Sequence, residues 1–250
     1  MQSRVFSKNG LYHFLSSLEA QAGDFVTVYA EPGDFPHFIE KLSLEPRYNT
    51  YTDEIESAVK TEAIISGARR YDTGAAIFWG QVGNKHVVLP PFPISENKVS
   101  VGKPDTSVLY AALERRYVIG AVLVAWGSYA IGIFDADNLV EWKTGTGHIH
   151  KEHKKGGRSQ KRFARRTQEQ RKDFLRRVAN RIEERFGGFT PDYIFLGGNK
   201  LIAKPLIREC RYLQSNACKI SPRVLDVRHA DREALVNSLA EITKSVVFTF

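Results

Sequence analysis

Residues 117–125 read YVIGAVLVA. A nearly unbroken apolar run of this length is what a central strand covered on both faces requires. Shorter runs at 129–134 and 139–142 follow across turns at Gly127-Ser128 and 135–138, giving an antiparallel meander. A further strand is expected at 193–196. Between the meander and that strand, Phe163, Phe174, Val178 and Ile182, with Leu175, Ala179 and Phe186 beside them, fall near one face of a helix of period 3.6. Strand, long helix, strand implies a crossover packed on the sheet.

The stretch 144–182 also carries the charge. Between His148 and Arg181 there are thirteen Lys or Arg and three acids, a local net charge of +10 in a chain of +8. The rest of the protein is therefore slightly acidic, and the basicity is an electrostatic footprint rather than a general solubility device. The footprint has two halves. Residues 144–159 have no apolar period and contain Gly145, Gly147, Gly156 and Gly157, as in a mobile loop. From Gln160 the helical period begins, with Ser159 as the expected N-cap and Gly187-Gly188 as the stop. At 1.5 Å per residue the helix would run roughly 40 Å. A cationic glycine loop on the positive end of a cationic helix suits a phosphate-rich surface. The bland alternative is a solvated outer face whose long side chains cover apolar surface.

Elsewhere the sequence predicts helices at 8–22, 35–42, 52–67, 107–114, 204–214 and 231–244, and strands at 25–29, 75–79, 86–89 and near 224–227. The polar segment 95–105 follows Pro90-Pro91-Phe92-Pro93 and reads as a domain boundary. The expected fold class is α/β (α+β) in two domains. Residues 1–103 form a small α+β unit. Residues 104–250 form a mixed sheet with a strand meander, a long basic crossover helix and flanking helices. No run approaches the roughly 18 apolar residues of a membrane span, so no membrane partner is expected. MQSRVFSKNG has no signal-peptide core, which makes the expected location cytoplasmic. Cys210 and Cys218 are too few and too oddly spaced for a zinc knuckle or disulfide framework, and are expected to be inert.

Motifs for ordinary catalysis are missing. There is no P-loop, dinucleotide fingerprint, nucleophile elbow or kinase set, and Gly197-Gly198 reads as a plain strand-to-helix turn. His148, His150 and His153 have the look of a metal cluster. However, no further ligand group lies nearby, and Lys151, Lys154 and Lys155 would repel a cation, so no metal is expected. The histidines instead add partial charge and hydrogen bonds to an RNA-facing loop. No acidic pair or Ser/His/Asp set marks a hydrolase, and no cofactor is implied. The conspicuous neutral polar candidate is Gln160, within GGRSQ between two cationic stretches.

The segment HKEHKKGGRSQKRFARR, with TGTG before it and the long helix after it, resembles the middle domain of the archaeal and eukaryotic class-1 peptide release factors. There a Gly-Gly-Gln loop precedes Ser and R-F-A-R-type residues. YVIGAVLVAWGSYAIGIF and DYIFLGG are similar to that family's strands on either side, and FVTVYAEPG, GAAIFWGQV and LPPFPI to pieces of its first domain. The likeness is specific over about 107–229 and faint over the first hundred residues. The family's motif stands here as Gly156-Gly157-Arg158-Ser159-Gln160, a GGxSQ spacing like that of the VLRF-type release-factor-like hydrolases of ribosome quality control.

The resemblance implies a release-factor-like middle domain and a peptidyl-tRNA hydrolase that frees nascent chains from stalled ribosomes or large subunits. The chain has no NIKS tetrapeptide and no segment like the family's third domain, so stop-codon-dependent termination is not expected. In the implied mechanism Gln160 positions the attacking water or stabilises the oxyanion, while Gly156 and Gly157 allow close RNA approach. Lys154, Lys155, Arg158, Ser159, Lys161, Arg162, Arg165 and Arg166 would contact ribosomal RNA and peptidyl-tRNA. A monomer fits a site buried in a large ribosomal subunit. The glutamine's displacement by two positions leaves open a non-hydrolytic ribosome-binding rescue or silencing factor. A general RNA-binding protein is the third reading.

Overall fold

The structure, a computed structural model, describes residues 1–40, 42, 49–149 and 158–250, and in the long helix the side chains from Arg162 onward. In chain order the elements are β1 (Gln2–Phe6), α1 (Lys8–Glu19), β2 (Phe25–Ala30), α2 (His37–Glu40), α3 (Asn49–Val59), α4 (Glu62–Tyr71), β3 (Ala75–Trp79), β4 (Lys85–Leu89), β5 (Lys98–Gly102) and α5 (Ser107–Glu114). Then follow β6 (Val118–Ala125), β7 (Ser128–Asp135), β8 (Asn138–Thr146), α6 (Arg158–Phe186), β9 (Tyr193–Gly198), α7 (Lys200–Glu209), α8 (Arg211–Ser215), α9 (Arg232–Ile242) and β10 (Ser245–Thr249).

The chain divides into two compact units, Met1–Arg115 with Ala240–Phe250, and Arg116–Leu239. The expected division at 103/104 is thus displaced. Helix α5 packs its Val108, Leu109 and Leu113 into the core of the first unit, and β10 returns to that unit's sheet.

The first unit is built on a sheet of order β1-β10-β4-β3-β2-β5, every neighbour antiparallel. Its inner strands β2, β3 and β4 are buried on both faces, and alternation sorts their side chains between two cores. Ile77 and Trp79 point to the side where Ile55, Val59 and Ile64 of α3 and α4 pack. Ala76 and Phe78 point to the side of Leu11, Leu15 and Leu18 of α1. The single helix expected at 52–67 is two, because Thr61 takes an extended conformation and its hydroxyl donates to the Ala58 carbonyl at 2.9 Å. The segment expected as a linker holds β5, whose Val99 and Val101 are partly exposed because the strand lies at the sheet edge.

The second unit has the order β8-β7-β6-β9. The meander β6-β7-β8 is antiparallel, and β9 pairs parallel to β6 after the α6 crossover, as the strand–helix–strand order predicts. One sheet face meets Phe174, Val178, Ile182 and Phe186 of α6 through Val122, Val124, Ile131, Ile133 and Ile194. Gly187 then donates to the Glu183 carbonyl at 3.2 Å, closing the helix where Gly187-Gly188 was expected to stop it.

The helix expected at 204–214 starts earlier and breaks at Cys210, which leaves helical geometry between α7 and α8. Cys210 is buried and Cys218 exposed, both as free thiols. The strand expected near 224–227 is reduced to a single bridge, Leu225 to Gly197. The short strands β1 and β10 were not anticipated at all.

Candidate nucleic-acid interface

Helix α6 has 29 residues and is about 43 Å long. Its core face is continuous from Thr167, 2% exposed, through Phe174, Leu175, Val178, Ala179, Ile182 and Phe186. On the N-terminal side of Thr167 the pattern stops. Residues 162–166 are all exposed, including the small Ala164 and the apolar Phe163 at 45%. Successive helical residues are about 100° apart, so five in a row sample the full circumference. The helix there has an exposed residue on every side. This corrects the expectation that Phe163 lies on the buried face with Phe174 and Val178. The spacing is right, but the buried positions of the helix begin only at Thr167.

The root of this overhang is fixed. The β6–β7 turn accepts the Gly147 amide at the Gly127 carbonyl, 2.9 Å, just past the end of β8. A Cβ on Gly147 would meet the Phe174 ring at 2.7 Å and the Arg177 guanidinium at 2.8 Å, so the chain leaves the sheet pressed against α6. The Trp126 ring tilts against Phe174 at 6.4 Å, and the Arg171 guanidinium lies 5.0 Å over Trp126. This clamp was missed in the sequence. Gly127-Ser128 marks the turn, but nothing in the sequence pairs Arg171 with Trp126.

Charge is distributed unevenly along α6. On its packed half Arg181 pairs with Glu184, and Arg185 reaches Glu141 on β8 at 3.3 Å. On the overhang Arg165 reaches Glu169 at 3.0 Å, an exposed pair of little energetic weight. Arg162 and Arg166 carry no ion pair among the described residues. The overhang therefore keeps net positive charge facing solvent.

The predicted catalytic and binding residues fall in three groups. Arg162, Arg165 and Arg166 are together on the overhang. Arg158, Ser159, Gln160 and Lys161 form its first turn by backbone conformation. Ser159 is therefore inside the helix rather than its N-cap, because Arg158 already has helical geometry. Lys154, Lys155, Gly156, Gly157, His150 and His153 lie outside the described residues. Among the described residues no group of His, Cys, Asp or Glu could hold a metal ion.

Residues 117–247 match the family described as Actinobacteria/chloroflexi VLRF1 release factor, acVLRF1. No curated protein matches. Among solved structures, an archaeal translation termination factor, aRF1, is similar at 17% identity and a TM-score of 0.39, over 95% of this chain and 73% of that one. The Vms1 mitochondrial localization core is similar at 10% identity and a TM-score of 0.37, over 87% and 89%. Pelota of Archaeoglobus fulgidus is similar at 13% identity and a TM-score of 0.28, over 96% and 63%.

Proposed function

This chain belongs to the VLRF1 release-factor family, and from that premise we propose that it hydrolyses peptidyl-tRNA on stalled ribosomes or large subunits, independently of a stop codon. Membership places it among release-factor-like proteins of translation termination and ribosome rescue. The observation that supports the finer reading is the overhang of α6, cationic and exposed at every residue from 162 to 166. A helix that continues past its buried face can carry its first turn into a cavity of RNA, and Gln160 is on that turn.

The ester links the nascent peptide to the terminal ribose of tRNA. Water attacks its carbonyl carbon, the carbonyl oxygen takes up negative charge, and the ribose oxygen leaves with a proton. A glutamine amide suits both ends of this step. Its carbonyl oxygen accepts a hydrogen bond from the water, and its NH₂ donates to the developing oxyanion. Arg162, Arg165 and Arg166, with Lys154, Lys155, Arg158, Ser159 and Lys161, would hold ribosomal RNA and tRNA phosphates and fix the register. Gly156 and Gly157 would let backbone come close to RNA. The RNA supplies the remainder of the site, so no protein base–nucleophile pair is required. The protein acts as a monomer in the cytoplasm. Its first unit, without a NIKS sequence, reads no stop codon.

The test is release of nascent chains from purified stalled large subunits. Removing one preorganised donor costs about 3–4 kcal/mol, so Gln160→Ala should slow release by roughly 10²–10³-fold. Equal release by both proteins removes Gln160 from the mechanism. The helical backbone at Gln160 favours one alternative, a ribosome-binding factor without hydrolysis, since a first-turn residue has less freedom than one at a loop tip. Salt-sensitive subunit binding by the wild type with no release would establish that alternative.

A further inference from the structure

The exposed ring of Phe163 is unexplained by hydrolysis or by phosphate binding. It lies on the same side of α6 as Thr167, Gln170 and Phe174, at spacings of three and four. Thr167 and Phe174 are buried, whereas Phe163 is 45% exposed beyond the end of the core. Its neighbours on the overhang are cations. Arg162 precedes it and Arg166 follows one turn on, both exposed. Neither has an ion pair among the described residues, while Arg165 has Glu169.

A partner that satisfies this surface must offer anionic groups to Arg162 and Arg166 and a flat apolar face to the ring between them. Single-stranded RNA has both in one nucleotide, a phosphate and the face of an unstacked base. Duplex RNA offers the phosphates but keeps its base faces stacked. An acidic protein surface offers the charge without the flat apolar face.

We infer that Phe163 is a nucleobase-stacking residue, which takes an unpaired base of RNA while Arg162 and Arg166 hold the flanking phosphates. The inference rests on the reading of α6 as an arm that enters an RNA cavity, and it names what the arm grips there. The stack positions the first turn and takes no part in the chemistry.

The test measures binding of the full chain to a short single-stranded oligouridylate and to an abasic oligomer with the same phosphates, across a salt series. Phe163→Ala should bind the oligouridylate about tenfold more weakly. Its dependence of log K on log salt should be unchanged, because no phosphate contact is lost. It should bind the abasic oligomer as the wild type does. Arg166→Gln should flatten the salt dependence by about 0.7 on both oligomers. Phe163→Trp should restore affinity, and its emission should be quenched on binding. The inference is overturned by any of four results: no binding of the wild type to oligouridylate, equal affinity of Phe163→Ala, an equal loss on the abasic oligomer, or equally good competition by an acidic peptide. Thermal unfolding of each variant guards against a folding defect. Release by Gln160→Ala is read alongside. Loss of release in that variant with normal RNA binding by Phe163→Ala would sink the stacking site and leave the hydrolase standing.

Discussion

His86 on β4 is buried, with Nδ1 3.1 Å from the Thr249 hydroxyl and its ring edge-on to Phe14 at 5.1 Å. Burial pushes its pKa below the usual imidazole value, since the charged form loses hydration. In the unfolded chain the ring protonates near its ordinary pKa, about 6.5. As pH falls through that value the unfolded state gains protons that the folded state refuses, so stability drops. Chemical denaturation of the wild type should therefore show a loss between pH 7.5 and 5, and His86→Gln should lack that part of it. Parallel curves for the two proteins would show that His86 is not desolvated. Gly198 is constrained differently. Its φ is +94°, and a Cβ there would lie 2.4 Å from the Val124 carbonyl oxygen. Neither problem is relieved by a side chain moving, because the obstacle is backbone. Gly198→Ala should destabilise the second unit by about 2–4 kcal/mol, from the left-handed backbone and the overpacking together. A melting temperature within a degree of wild type would contradict this. The doublet Gly197-Gly198 was legible as a turn, but a linear sequence does not show which carbonyl crowds it.

At the scale of the element, α6 is one helix with two mechanical halves. From Thr167 to Phe186 its apolar face is locked into the sheet, and this half was readable because Phe174, Val178 and Ile182 hold the 3.6 period. Residues 162–166 are all exposed, and this half was not readable, because Phe163 continues the same period. Periodicity reports which side of a helix is apolar, not how far the partner surface extends beneath it. Local stability follows packing. Amides at 162–166 should exchange with solvent deuterium by fraying, many orders of magnitude faster than those at 174–182, which open only with the second unit. Uniform protection along the whole helix would mean that something covers the overhang. Binding to ribosomal particles should slow exchange in the overhang and leave the packed half as it was. The breaks at Thr61 and Cys210 belong to the same lesson: each interrupts an apolar pattern that runs on past it, and only the local backbone reveals the stop.

Across the whole molecule, the contrast is between a second unit assembled largely from neighbours in sequence and a first unit closed from the opposite end of the chain. The meander, crossover helix and return strand of the second unit pair in an order that the sequence displays. In the first unit Gln2 pairs with Thr249, and β10 lies between β1 and β4. Neither QSRVF nor SVVFT is distinctive alone, and no local signal joins segments so far apart, which is why both strands and the true unit boundary escaped the sequence. The arrangement makes the first sheet hostage to residues 245–250. Val247 is buried in the core beside α1 and Phe248 in the core beside α3 and α4, so their loss opens both faces together. Deleting a buried Phe alone typically costs about 3–5 kcal/mol. With the valine and two ladders of hydrogen bonds removed as well, the loss should approach the about 5–15 kcal/mol that holds a domain folded. A chain lacking residues 245–250 should therefore lose the first unit and keep the second. The three indoles report this directly, because Trp79 is in the first unit and Trp126 and Trp142 are in the second. The Trp79 indole resonance should collapse to its unfolded position while the other two stay dispersed. If all three kept their native positions, β10 would be an ornament on the sheet rather than its closure.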